Sequence, residues 1–515
     1  MSLSRASGIL LHPTSLPGSF GIGDLGDEAF AFADFLAASG QQYWQVLPLG
    51  PTGYADSPYQ GLSAFAGNTL LVSPQRLLEE GLLSKDDILR APRSRADRVS
   101  FGRVIAYKKA LLEKAYLKFK RTTDTELRSG FLAFVQEAEP WLDDYALFRA
   151  LKDAHNGAAW NEWEAALVRR DPSALAPARD ALRDKVEAEK FSQYLFFKQW
   201  SLLKDYCQQH HIGIIGDMPI FVAYDSADVW TNPSLFKLDG AGRPTTVAGV
   251  PPDYFSQTGQ LWGNPLYDWN RMRADGFRWW VERLRAAFEI VDKLRVDHFR
   301  GFAACWEVPF GDKTAEHGRW VEVPGGELFS VLKNRIGELP IIAEDLGVIT
   351  PDVEALRDEF RFPGMRVLQF AFRNDSTKID LPHNYVRNCV VYTGTHDNDT
   401  TVGWFNSKAG PGSTRDAAQI ERERIYCLKY LKTRGREIHW DFIEVAFASV
   451  ANTAIAPLQD VLGLDSRARM NLPASQEGNW TWRFTTDALT EKVGERLKAV
   501  TEAYNRLPIL AVTRS

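Results

Sequence analysis

The chain has 515 residues, with 66 acidic and 61 basic side chains interspersed along it, a formal net charge of −5 and 45% apolar residues. That pattern leaves no basic stripe for nucleic acid and no polybasic segment for an anionic membrane, so small neutral substrates are the expected class. The length allows one enlarged barrel or two to four conventional domains, and no apolar run is long enough to span a bilayer.

The chain begins Met1-Ser2-Leu3-Ser4-Arg5, without a hydrophobic signal core, which places it in the cytoplasm, or in an organellar stroma if a transit peptide was trimmed. Cys207, Cys305, Cys389 and Cys427 form neither a CxxC pair nor a zinc-ligand spacing. They read as buried or idle thiols of a reducing compartment.

Taken in chain order, short apolar runs recur at 7–12, 43–49, 213–217, 294–297, 340–344, 366–372, 390–397 and 453–458. Most intervals between them carry helical periodicity. Eight such strands alternating with helices predict an α/β fold, a (β/α)8 TIM barrel.

The interval between the second and third runs is far longer than one crossover helix needs. Residues from about 75 to 190 read as a mainly helical subdomain inserted between strands 2 and 3, with the helix around 188–197 belonging to the barrel itself. A second insertion, about 219–270, is rich in Gly, Pro, Asp, Tyr and Trp and offers little periodicity. Its aromatic content favours a functional loop at the active-site rim. Residues 488–506 resemble one closing amphipathic helix, leaving no room for a C-terminal β-sandwich, so 1–515 is expected to be a single catalytic barrel.

Four of the runs end in a carboxylate, at Asp217, Asp297, Glu344 and Asp397. A carboxylate at the C-terminal end of a parallel strand sits where barrels build their active sites. Two acids held across a glycosidic bond can hydrolyse or transfer a sugar, one as nucleophile and one as general acid. Arg295 lies two residues before Asp297 and so shares its face, where the guanidinium would keep the carboxylate ionised; Asp297 is the better nucleophile. Glu344 follows Pro340-Ile341-Ile342-Ala343, whose apolar surroundings would raise its pKa, making it the better acid and base. Asp345 should point away from the pocket or cap a turn.

At Thr395-His396-Asp397-Asn398-Asp399, either Asp397 or Asp399 could hold sugar hydroxyls and His396 could donate to them. Singly, each of these acids reads as readily as a helix cap or a turn residue. Four of them converging on one rim is what points to chemistry.

The segments Arg295-Val296-Asp297-His298-Phe299-Arg300-Gly301, Ala343-Glu344-Asp345-Leu346-Gly347 and Gly394-Thr395-His396-Asp397-Asn398 together resemble the three catalytic segments of the amylomaltases, the 4-α-glucanotransferases of glycoside hydrolase family 77 in the α-amylase clan. The resemblance continues through 44–52, 56–60, 216–222, 249–253, 259–265 and 469–473, and is looser in the helical insertion. It implies Asp297 as nucleophile, Glu344 as acid/base and Asp397 as the stabiliser gripping the donor sugar. It implies substrate-binding roles for Tyr59, Ser57, Asp217, Trp262, Gln260, Arg295, His298, His396 and Asn471, with Tyr59 and Trp262 stacking on sugar faces. It implies no metal and no cofactor. The expected partners are malto-oligosaccharides and α-1,4-glucans, with no nucleic acid and no membrane, and the chain is expected to be a monomer or small homo-oligomer.

The expected function is therefore transfer of α-1,4-glucan segments to the 4-hydroxyl of glucose or another glucan, by a retaining double displacement, with cyclisation of long glucans as a further outcome. Water and a sugar hydroxyl would use the same base, so the segment 249–263, through Tyr254, Phe255 and Trp262, is expected to decide between them by excluding water. The alternatives are an α-amylase-clan α-1,4-glucan hydrolase with a wetter site, and a catalytically dead glucan-binding protein, against which the full set of acids speaks.

Overall fold

The computed structural model describes residues 5–92, 95–252, 258–373, 379–410, 415–473, 475 and 477–508. Eight parallel strands form its centre: β1 (Ala6–Leu10), β2 (Tyr43–Gln45), β3 (Gly213–Pro219), β4 (Lys293–Asp297), β5 (Ile341–Ala343), β6 (Gly364–Val367), β7 (Cys389–Tyr392) and β8 (Thr453–Pro457). Their order in the sheet is β6-β7-β8-β1-β2-β3-β4-β5. The remaining seam, between β5 and β6, is joined by Ala343 N–H donating to the Pro363 carbonyl at 2.9 Å and Met365 N–H donating to Asp345 Oδ1 at 2.6 Å. The sheet thus closes into a (β/α)8 barrel. Its strands are buried on both faces, inward by each other and outward by helices, which is why they are continuous apolar runs rather than alternating ones.

Each expected run overlaps a strand, and most of the strands are shorter than the runs. The clearest difference is at 366–372, where the strand stops at Val367 and Leu368–Phe372 turns into a 3-10 helix. Leu368, Ala371 and Phe372 leave the barrel to pack with Trp404, Cys427, Ile438 and Phe442. A short apolar run satisfies either environment, so its composition alone does not mark the break.

Between β2 and β3 the named elements are all helices. Phe101–Phe119, Thr125–Glu137 and Glu139–Ala154 gather on the long helix Arg183–Gln209. The first half of that helix packs against the others through Phe191, stacked 4.2 Å from Phe119. Its second half carries buried Trp200, Leu203 and Cys207, and the Trp200 indole donates to the Ile290 carbonyl at 2.8 Å, just before β4. One helix therefore serves both the insertion and the barrel wall.

The region 219–270 holds more regular structure than its composition suggests. Thr246–Val250 and Gln260–Pro265 form an antiparallel hairpin that joins Ala304–Pro309 and Arg319–Glu322 in a separate four-stranded sheet. Its strands include Gly249, Gly263 and Pro265, and its other half lies beyond β4, so no local alternation announces it. The closing helix spans Glu491–Ala503. No helix among the described residues is long and apolar enough to cross a membrane, and the four cysteines are free and buried.

Candidate active site

The strand register assembles the first part of the site. Asp217 on β3 pairs with Arg295 on β4, and Asp297 lies two residues further along the same face. The Arg295 guanidinium donates through Nη1 to both Asp217 oxygens, at 2.8 and 2.7 Å, and through Nη2 to Asp297 Oδ1 at 2.8 Å. Burial alone would lower the Arg295 pKa, yet the charges of Asp217 and Asp297 outweigh it and hold it well above the ordinary value. The Asp217 side chain is fully buried, whereas that of Asp297 is 30% exposed and open to a reactant. Tyr59, on the loop after β2, donates its hydroxyl to Asp217 Oδ2 at 2.8 Å. Burial, then the charge of Asp217, raises its pKa well above the usual phenol value, so it stays a donor.

Glu344 follows β5, whose register places it beside the end of β4. Its Oε2 accepts the backbone N–H of His298 at 2.8 Å, and its Oε1 that of Leu346 at 3.1 Å. His298 reaches that position in the left-handed region, φ 52°, which a side chain adopts only under constraint. Burial and then the charge of Asp297 push the Glu344 carboxyl up to about 8, against the opposing pull of Arg295. Asp345 points out of the barrel to Arg357 at 2.6 Å and to Met365 N–H. Its role as the β5–β6 closure is one that the sequence did not suggest.

Asp397, beyond β7, accepts Asn471 Nδ2–H at 2.6 Å and lies 3.4 Å from His396 Nε2, with its side chain 45% exposed. The His396 ring is buried and stacks on Tyr59, centroids 5.0 Å apart, so the Asp217 and Asp397 clusters share a wall. Asp399 is engaged elsewhere. It accepts the Ser466 hydroxyl at 2.6 Å and the Thr400 N–H at 2.8 Å, and so anchors the start of the helix Thr401–Asn406. Asn398 closes the turn by accepting from Thr395 N–H and hydroxyl at 2.9 and 2.8 Å.

The hairpin at Gln260–Pro265 brings Trp262 edge-on to His298, ring centroids 4.7 Å apart. Burial drives the His298 pKa down to about 4, so the imidazole facing Trp262 is neutral near neutral pH. Exposed Gln260 accepts the Trp262 indole N–H at 3.2 Å. Ser57 accepts the Tyr59 N–H at 3.2 Å and so stabilises the loop that presents Tyr59; its hydroxyl is turned to its own segment. Tyr254 and Phe255 lie outside the described residues.

Three neighbours of the site carried no role in the sequence reading. Arg469 donates to two carbonyls beside Asp397, Trp480 packs 5.8 Å from Tyr59 and 6.0 Å from His396, and buried His12 ends the β1 run. Burial, then proximity to His396, lowers the His12 pKa to about 3. A polar residue ending a strand was a signal for His12, and Arg469 stands in the 469–473 segment of the resemblance, where no role was attached to it; Trp480 sits in an aperiodic stretch that gives no signal.

A closed parallel barrel whose C-terminal mouth carries three partly open acids around a buried arginine defines a class, the carboxylate-bearing (β/α)8 barrel enzymes. Residues 11–489 match the family model of glycoside hydrolase family 77, described as 4-α-glucanotransferase. The chain is 51% identical over 98% of both chains to a 4-α-glucanotransferase of Synechocystis, and 50% identical to one of Thermus thermophilus, over 98% of this chain and all of that one. Its fold matches the amylomaltase of Streptococcus agalactiae, solved in complex with acarbose, with a TM-score of 0.93 at 41% identity, over 98% of this chain and 100% of that one. The chain belongs to glycoside hydrolase family 77, the 4-α-glucanotransferases.

Proposed function

We propose that this chain transfers α-1,4-glucan segments by a retaining double displacement in which Asp297 is the nucleophile, Glu344 the acid/base and Asp397 the grip on the donor sugar. Glucan transfer is the activity of the family, and α-1,4-glucans are the substrates. Full-length relatives named as transferases leave the hydrolase alternative disfavoured. The observation that carries the residue assignment is the contrast between adjacent acids: Asp297 is hydrogen-bonded to a guanidinium, whereas Glu344 receives only backbone N–H groups and is raised to about 8. Two carboxyls with environments this different divide into a nucleophile and a proton donor.

In the first step Glu344 protonates the glycosidic oxygen as Asp297 attacks the anomeric carbon, and the reducing-end fragment leaves. The glucosyl ester on Asp297 is then attacked by the 4-hydroxyl of a second glucan, whose proton passes to deprotonated Glu344, and the ester bond breaks. Asp397 and the neutral His298 serve as hydrogen-bonding groups around the reacting glucose, with Asp217 and Tyr59 fixing Arg295. His396 and Asn471 position Asp397. Trp262, joined to Gln260, forms a wall against water, and with Tyr254 and Phe255 it completes the segment proposed to favour a sugar acceptor. A cytoplasmic location goes with this reading, and the four free buried thiols support it.

The test is a trapping experiment. Glu344→Gln, incubated with α-maltosyl fluoride, whose leaving group needs no acid, should accumulate a maltosyl ester that peptide mapping places on Asp297. A label on Asp397, or none while the fluoride is consumed normally, overturns the assignment. Maltotriose given to the unaltered protein should yield a ladder of longer and shorter glucans.

A further inference from the structure

We infer that Arg469 is a positioning residue for the reaction, a clamp that fixes the distance between the loop carrying Asp397 and the loop carrying Asn471. The inference rests on the proposed role of Asp397 as the grip on the donor sugar.

The two loops come from distant parts of the chain. Asp397 follows β7, and Asn471 lies after β8 and two short helical turns, in an irregular stretch. Arg469 lies on the Asn471 stretch itself and ties it to the other loop with one edge of its guanidinium: Nε donates to the Asn471 carbonyl at 2.7 Å, within the stretch, and Nη2 to the Asp397 carbonyl at 2.6 Å, across the gap. Both acceptors are backbone atoms, so the bonds act on where the chain runs and leave the side chains free. The Asp397 carboxylate then receives Asn471 Nδ2–H at 2.6 Å, and Asn471 N–H donates to the His396 carbonyl at 3.1 Å.

The stretch around Asn471 has its own closure. Trp480 N–H donates to the Met470 carbonyl at 2.8 Å, and the Asn479 side chain bonds Leu472 at both its N–H and its carbonyl, at 2.9 and 3.3 Å. That closure makes the loop rigid but does not place it. Placement against Asp397 comes from the Arg469 fork, from the links through Asn471 and from the Ser466 hydroxyl, which donates to Asp399 at 2.6 Å. Arg469 is half-buried, and the nearby Asp399 carboxylate is taken by Ser466 and the Thr400 N–H. The planar guanidinium carries two parallel donors at a fixed spacing, which an ammonium cannot reproduce.

A clamp of this kind predicts a specific kinetic signature. A grip on a distorted sugar matters more in the transition state than in the ground state, so loosening it lowers kcat and leaves KM nearly unchanged. Displacement on the ångström scale costs up to about a hundredfold in rate.

The test compares Arg469→Lys, Arg469→Gln and Asp397→Asn in maltotriose disproportionation, with melting temperature and circular dichroism as checks on the fold. Arg469→Lys keeps the charge and loses the fork. It should lower kcat by about tenfold to a hundredfold, with KM within about twofold, an unshifted pH profile, and affinity for acarbose falling more than affinity for maltotetraose. Arg469→Gln should behave alike; if it does not fold, the lysine variant alone decides. Wild-type kcat in folded Arg469→Lys, or equal losses of affinity for the two ligands, overturns the clamp. Asp397→Asn keeping full turnover overturns the role of Asp397 instead, so the two failures are distinguishable.

Discussion

At the mouth of the barrel, buried Arg295 divides its guanidinium between two carboxylates, Asp217 and Asp297. At the base, Arg506, with no exposed surface, donates to the carbonyls of Ala6, Phe447, Ser449, Ala451 and Asn452. Arg5 beside it bonds the carbonyls of Phe447, Ser449 and Tyr504. The mouth therefore holds more negative charge than its guanidinium neutralises, and part of the excess is felt as the raised pKa of Glu344. The base holds positive charge with neutral dipoles, joining the first strand to the segments that flank the last. One residue type tunes charge at one end and ties chain ends together at the other, in keeping with the separation of catalysis and stability between the two faces of a barrel.

The largest effect that tests this separation is at Glu344. Glu344→Gln should lower kcat/KM on maltotriose by about a hundredfold to ten-thousandfold, the usual contribution of a general acid. The unaltered protein needs Glu344 protonated to cleave, so its kcat/KM should fall as pH rises through about 8, where the raised carboxyl loses its proton. That alkaline limb should be missing in the variant. A limb that persists there would transfer the titration to another group.

At the base the expectation is the reverse. Arg506→Met leaves several buried carbonyls without a donor and should destabilise the fold by about 2–4 kcal/mol, read from urea unfolding. Turnover per folded molecule at 25 °C should be unchanged, since no group at the mouth contacts Arg506. A fall in kcat of the folded fraction would mean that the two ends are coupled and would break the comparison.

The sequence carried the mouth better than the base. Asp217, Asp297, Glu344 and Asp397 could be found because each ends a run of buried strand residues, and the i, i+2 relation of Arg295 to Asp297 already puts them on one face. The raised carboxyl of Glu344 followed from the apolar character of β5. Arg506 gave no such signal, because its partners are backbone carbonyls that no residue type reveals. The same is true of Arg469. The four-stranded sheet was hidden for a different reason: its hairpins are separated by β4, and glycine interrupts their pattern. Asp345 was placed facing away from the pocket, yet its part in closing β5 on β6 depends on Arg357 and Met365 N–H, which only the closed barrel brings to it.

The last effect separates the two ends most sharply, because it concerns the pH dependence of stability rather than its size. Glu344 binds its proton up to about pH 8 in the folded chain, but only up to about its ordinary value of 4.5 when unfolded. Between those values the native state holds a proton that the unfolded state has released, so stability falls as pH rises through the window. A glutamine cannot be charged and escapes that loss. The melting temperature of Glu344→Gln should match the unaltered protein below about pH 4.5, exceed it increasingly up to about pH 8, and stay above it thereafter by a constant margin. Burial lowers the Arg506 pKa to about 9, so the guanidinium stays charged through this window and the deficit of Arg506→Met should be level between about pH 4.5 and 8. A stability gain for Glu344→Gln that is flat with pH, or greatest in acid, would show that the charge at the mouth is not what strains it.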